Sequence, residues 1–234
     1  MRVVAGLGNP GASYRHTRHN AGFRVIDLLV ARAEVCRPMP EQPRGVVARA
    51  RRLVARVLGV RVLVPRESVG PSGGGPSPGP LTVAGDLEAW LAEASVGGEP
   101  VLLVKPLAFV NRSGVPIARV LAACGASASD LVVVVDDVAL ELGTVRVRAR
   151  GRHGGHNGLR SVIDEIGTED FVRVRIGVRR GGLPPELAAY VLAEVPPDDV
   201  PVFEAALGRA ADAVACVLRE GPAAAMDRFN GWRA

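Results

Sequence analysis

Apolar residues along the chain change their period several times, and each change marks an element. Val3 and Val4 open a short run that ends in turn residues at Gly6, Gly8, Pro10 and Gly11. A polar stretch with Asn9, Tyr14, His16, Arg18, His19 and Asn20 follows. A helical period then begins at Phe23 and continues through Ile26, Leu29 and Ala33. The pattern predicts strand, glycine turn, polar loop and helix, with Asn20 as the helix N-cap and an end near Val35. Such a succession builds sites in α/β proteins.

Downstream, Pro38, Pro40 and Pro43 break the helix between Arg37 and Arg44. Val46 to Leu58 regains helical spacing with Arg49, Arg51, Arg52 and Arg56 interleaved; the apolar stripe suits docking more readily than the arginines suit RNA. Gly70 to Pro80 reads GPSGGGPSPGP, a flexible segment without apolar anchors. Leu91–Ser95 and Val101–Val104 flank Gly97-Gly98 and predict a hairpin. Pro116–Ala123 predicts a short helix ended by Gly125. The continuous run Leu131–Val135 predicts a central strand, buried on both faces and stopping at Asp136-Asp137. Thr144 to Arg150 alternates strictly, so Arg146, Arg148 and Arg150 share one face of a strand. A glycine-rich loop over 151–158 carries His153, His156 and Asn157 and leads into a helix over Leu159–Ile166. Arg173 and Arg175 alternate with Val172, Val174 and Ile176 in another strand, and 198–220 supplies a terminal helix.

At 234 residues and 48% hydrophobic content, the chain supports one domain, or one domain with an insertion. Aromatics are only 4%, so the core must be built from Val, Leu and Ala. The balance of 29 Lys and Arg against 24 Asp and Glu gives +5, which favours a polyanionic partner, nucleic acid first. An Arg-rich composition inherited from a GC-rich genome would give the same number. Cys36, Cys124 and Cys216 stand far apart, so neither a disulfide framework nor a zinc knuckle follows, and a reducing compartment is expected. No signal-like leader precedes the first strand, and no uncharged apolar run reaches the ~18 residues that span a bilayer. The expectation is a soluble, cytoplasmic protein.

Gly6, Gly8 and Gly11 fit G-x-G-x-x-G, but no helix opens at Gly11, and Asp27 lies inside the predicted helix rather than at a strand end. Dinucleotide binding is therefore not expected. No nucleophile elbow appears, and no cysteine has a neighbouring histidine, which argues against covalent catalysis. His16/His19 and His153/His156 lie in loops without an acidic or cysteine third ligand close in sequence, so no metal is expected. What remains is water activated by a histidine that a carboxylate orients; His19 and Asp136 are the candidates. Asn9, Asn111 and Asn157 each sit in a predicted loop and offer donors and an acceptor suited to a peptide group.

These motifs resemble bacterial-type peptidyl-tRNA hydrolase. GLGNPG, TRHNAGF, KPLAFVNRSG (105–114), VVVDD (133–137) and GRHGGHNGLRS (151–161) occur in that family's order, and ADAVACVLREG with AMDRFN is similar as well. The resemblance spans the chain except about 37–90, which reads as an atypical insertion in one domain. It implies a single α/β domain with a mixed, mostly parallel central sheet flanked by helices. It also implies hydrolysis of the ester joining a peptide to the tRNA 3′-terminal ribose, by a monomer using no cofactor. His19 matches the family's base, Asp136 its orienting carboxylate, and Asn9, Asn111 and Asn157 the asparagines that place peptide and water. Arg148 and Arg175 match a pair that grips the tRNA 5′-phosphate, while Tyr14, Phe109 and His156 match residues lining the cleft. Val110 stands where Met is usual, Leu107-Ala108 where a polar or aromatic pair is common, and Asp137 where Glu is common.

Overall fold

A computed structural model of the chain describes residues 1–32, 82–183 and 185–231. Strands β1 (Arg2–Gly6), β2 (Thr82–Ala84), β3 (Ala89–Val96), β4 (Glu99–Pro106), β5 (Leu131–Glu141), β6 (Val145–Arg148) and β7 (Val172–Arg179) join in one sheet. Its order is β2-β3-β4-β1-β5-β7-β6. The central strands β4, β1, β5 and β7 run parallel, and antiparallel pairing adds β3 and β2 at one side and β6 at the other. The helices are α1 (Ala21–Arg32), α2 (Gly114–Cys124), α3 (Asn157–Ile166), α4 (Leu187–Leu192), α5 (Val200–Glu220) and α6 (Pro222–Phe229).

Alternate residues of the buried strands feed two cores. Val4, Val132, Val134, Val174 and Ile176 face α1 and α5, where Ile26, Phe203, Leu207 and Val214 cover them. Val3, Ala5, Val104, Val133 and Val135 face α2 and α3, meeting Ile117, Val120, Leu159 and Val162. The resulting layers are helix, sheet, helix. Aliphatic chains do nearly all of this work, as a chain with so few aromatics requires.

The hairpin forms as predicted, with Gly97 and Gly98 at φ 60° and 86° between β3 and β4. Three local expectations are corrected. Asn20 does not cap α1: a 3₁₀ turn over Arg18–Asn20 runs straight into the helix, and the Asn20 side chain is used elsewhere. Strand β5 does not stop at Asp136, because pairing of Asp136 with Ile176 and of Asp137 with Gly177 carries it on, with a register shift before Glu141. Arg150 lies past the end of β6. Within 37–90, residues 82–84 form β2 and β3 begins at Ala89. The predicted end of the first helix near Val35, the proline segment, the 46–58 helix and the 70–80 stretch lie outside the described residues.

Candidate active site

The adjacent carboxyl ends of β1 and β5 form the floor of the site. Gly6 lies opposite Val134, and Leu7 N–H donates to Val134 O at 2.9 Å just beyond. Helix α1 starts directly over this bond because Gly22 has no side chain: a Cβ there would stand 2.4 Å from both Leu7 N and Val134 O. The turn before α1 therefore sets His19 against β5.

His19 Nδ1 lies 2.8 Å from Asp136 Oδ1, and His156 Nε2 lies 3.1 Å from the same oxygen. His156 also caps α3, its Nδ1 accepting the Leu159 N–H at 3.2 Å. That bond places the His156 proton on Nε2, so this ring donates to Asp136. With Nδ1–H of His19 donated as well, its Nε2 is left with the lone pair. Burial works against charging His19, but the field of Asp136 and the hydrogen bond to it outweigh this and raise its pKa above the ordinary 6.5. Asp136 is buried, which alone would favour its neutral form, yet the two imidazoles hold its pKa well below the usual carboxylate range.

The asparagines are arranged around a second set of bonds. Asn20 Oδ1 accepts the Asn9 N–H at 2.7 Å and its Nδ2 donates to Asn9 O at 3.1 Å, fixing the turn after β1 from both sides. Asn9 Oδ1 accepts the Val110 N–H at 2.9 Å, which leaves its Nδ2 without a hydrogen-bond partner among the described residues. This contact ties in a 3₁₀ turn, Val110–Arg112, that carries exposed Asn111. Asn157 is the first residue of α3 and is exposed. The following Gly158 brings the pieces together, since a Cβ would meet Val110 Cγ1 at 2.6 Å, Leu7 Cδ1 at 2.8 Å and His156 Cε1 at 2.9 Å. Phe109 is 56% exposed beside the tied turn, and Tyr14 meets it edge-on at 6.3 Å.

The predicted row of arginines lies on the outer strands. Arg146 pairs in register with Arg175 and Arg148 with Arg173, so all four share one sheet face, Arg148 diagonal to Arg175. Arg148 is exposed. Arg173 is 1% exposed, stacks 4.1 Å over the Phe171 ring and donates from Nη2 to Glu169 O and Phe171 O. Its Nε and Nη1 are buried without a partner. Burial, together with repulsion from Arg175, lowers its pKa to about 10.

The structure thus brings His19, Asp136 and His156 into contact, gathers Asn9, Asn111, Tyr14 and Phe109 around one turn with Asn157 just across Gly158, and sets Arg148 and Arg175 on a separate strand pair. Sequence reasoning missed Asn20 as a brace. It also missed Arg18, whose Nη1 donates to the carbonyls of Tyr190, Ala193 and Glu194 and so pins α4 beside the site. Neither leaves a local signal, because each partner is distant in sequence or is main chain. The donor atoms of His19, Asp136 and His156 lie within 4.8 Å of one another, close enough to hold a metal ion, and the same atoms are engaged with one another.

Fold and site define an α/β/α protein with a histidine–carboxylate pair at the carboxyl ends of its central strands. The family profile described as peptidyl-tRNA hydrolase matches residues 3–69 and 81–234, passing over only the Gly/Pro-rich stretch between them. The peptidyl-tRNA hydrolase of Symbiobacterium thermophilum is 38% identical over 229 residues, covering 98% of each chain. That of Desulforudis audaxviator is 36% identical over 233 residues, covering 100% of this chain and 95% of its own. The crystal structure of Acinetobacter baumannii peptidyl-tRNA hydrolase has the same fold, with a TM-score of 0.73 at 23% identity over 100% of this chain and 96% of that one. The chain belongs to the peptidyl-tRNA hydrolase family. No helix among the described residues is long and apolar enough to cross a membrane.

Proposed function

We propose that this protein hydrolyses the ester between a peptide and the 3′-terminal ribose of tRNA, with His19 as general base. Nε2 of His19 takes a proton from water as the water oxygen attacks the ester carbonyl. The tetrahedral intermediate collapses by expelling the ribose oxygen, which takes the proton back from the imidazolium. Asp136 stabilises that imidazolium and fixes the ring with Nε2 outward. The free Nδ2 of Asn9 suits the developing oxyanion, a kind of contact whose loss typically costs about 10²–10³ in rate.

Asn111 and Asn157 would pair with the peptide group next to the ester, with Phe109, Tyr14 and His156 as walls. An amide satisfies such carboxamides, whereas the ammonium of an aminoacyl-tRNA leaves an acceptor mismatched. Sites of this design discriminate by up to ~10⁴–10⁵. Arg148 and Arg175 would hold the tRNA 5′-phosphate. The enzyme would act as a cytoplasmic monomer without metal or cofactor, returning tRNA to translation.

The observation that carries this reading is the 2.8 Å contact of His19 Nδ1 with a buried carboxylate, which leaves the other ring nitrogen available. Turnover of N-acetylated aminoacyl-tRNA by His19→Ala tests it. Near wild-type turnover would remove His19 from the mechanism, and no turnover by the parent protein would favour an RNA-binding module on this scaffold.

A further inference from the structure

Beside Phe109 the rim of the sheet holds a cleft of about 420 Å³ that the reaction above does not use. Leu107, Ala108, Phe109 and Val115 give it apolar walls, and Gly85 and Glu88, from the turn before β3, complete it. Main chain ties the walls together, since the Leu107 N–H donates to Glu88 O at 2.7 Å. Glu88 holds φ 50°, a left-handed conformation that a β-carbon disfavours and that no other non-glycine among the described residues adopts. Three charges border the space. Glu88 Oε2 lies 3.2 Å from Arg119 Nη1, so these two offset each other. Arg112 is exposed, and its side chain has no partner among the described residues.

We propose that this cleft is a subsite for the peptide residue preceding the esterified one, and that Arg112 makes the enzyme favour an acidic side chain there. The inference rests on the reading in which Asn111 pairs with the peptide group next to the ester. Arg112 follows Asn111 in the same 3₁₀ turn, and Phe109, proposed above as a wall of the peptide site, also lines the cleft. The strand order separates the two halves of the substrate. His19 and Asp136 lie at β1 and β5, the proposed tRNA contacts lie toward β6, and the cleft lies at the opposite side, where the end of β4 pairs with the start of β3. A peptide leaving the ester away from the tRNA therefore runs into it. Apolar walls with one uncommitted guanidinium suit a short carbon chain ending in a carboxylate, which can take that guanidinium bidentately. The Glu88 carboxylate makes the same space a poor seat for successive phosphates.

The test measures kcat/KM for three N-acetylated dipeptidyl-tRNAs, Glu-Ala, Gln-Ala and Lys-Ala, beside N-acetylalanyl-tRNA. The parent enzyme should favour Glu over Gln by about two- to fivefold, the scale of one solvent-facing ion pair, with Lys below Gln. Arg112→Gln should level the three, and Arg112→Glu should reverse the order, which a merely structural turn residue would not do. Val115→Trp, filling the cleft from α2, should slow the dipeptidyl substrates more than N-acetylalanyl-tRNA. Equal turnover of the three by the parent would overturn the inference and leave ester hydrolysis standing. No turnover of any substrate would reject the hydrolase reading and the inference with it. A Glu preference that survives Arg112→Glu would place the selecting group elsewhere. Equal slowing of all four substrates by Val115→Trp would give the cleft to the 3′-terminal nucleotides; either of these last two results rejects the proposal.

Discussion

The histidine–carboxylate end and the basic edge of the sheet handle buried charge in opposite ways. At the first, Asp136 is enclosed with two imidazoles on one oxygen, and Asn20 holds the neighbouring turn at both its N–H and its C=O. At the second, four arginines crowd one face and buried Arg173 keeps two nitrogens unpaired. A group that acts on bonds must be finished before substrate arrives, since reorganising dipoles during the reaction costs rate. A surface that recognises a polyanion is better left short of acceptors, because the ligand supplies them.

If the first region is complete in itself, breaking it should hurt most. His19→Ala is expected to lower kcat by roughly 10²–10⁴, the usual contribution of a general base, measured in single-turnover hydrolysis. Asn20→Ala removes the partners of two main-chain groups of buried Asn9 and is expected to lower stability by about 1–3 kcal/mol or more in denaturant unfolding. A change below about 0.5 kcal/mol would mean that the turn does not depend on its brace. Arg173 offers the opposite case. Replacing a buried, half-paired guanidinium by Met should leave stability within about 1 kcal/mol, or raise it, while weakening tRNA binding. A loss of several kcal/mol would show this edge to be as finished as the other.

The pH response follows from the raised pKa of His19. With His19 as the proposed base the neutral ring would be the active one, so kcat/KM should climb with pH along a limb whose midpoint lies above 6.5. Asp136→Asn should move that midpoint down while reducing the rate. For stability the signs divide. The raised His19 pKa contributes below 6.5 and is lost as pH rises through its folded value, whereas the lowered Asp136 pKa contributes above 3.8 and is lost as pH falls. The smallest effect is expected at the basic edge: replacing Arg148 and Arg175 together should reduce the slope of log K against log[salt] by about 1 per arginine. An unchanged slope would detach them from tRNA.

How much of the molecule is legible in the chain depends on whether a residue's partner is near in sequence. Strand β5 announces itself through five consecutive aliphatic residues, and its acidic end points to the site, but the continuation past Asp136 is decided by pairing with β7 and leaves no apolar trace. The alternation over 144–150 places Arg146 and Arg148 on one face by period alone, and their register with β7 agrees. Asn20 reads as a cap because asparagine at a helix start ordinarily is one; its real partners lie 11 residues upstream. Helix α4, six residues with none buried, has no apolar period to detect, and its neighbourhood is fixed by Arg18 reaching across more than 170 residues.

The contact of Gly22 with Leu7 and Val134 reaches beyond this one chain. Because bare α-carbon lets the helix sit on a strand-to-strand bond, the position of the His19 imidazole is a property of main-chain spacing before it is one of side-chain fit. Transplanting the histidine and aspartate onto another sheet would not rebuild their geometry. The smallest portable unit is the opening strand, its turn and the first helical turn, carried together with the neighbouring strand on which they rest.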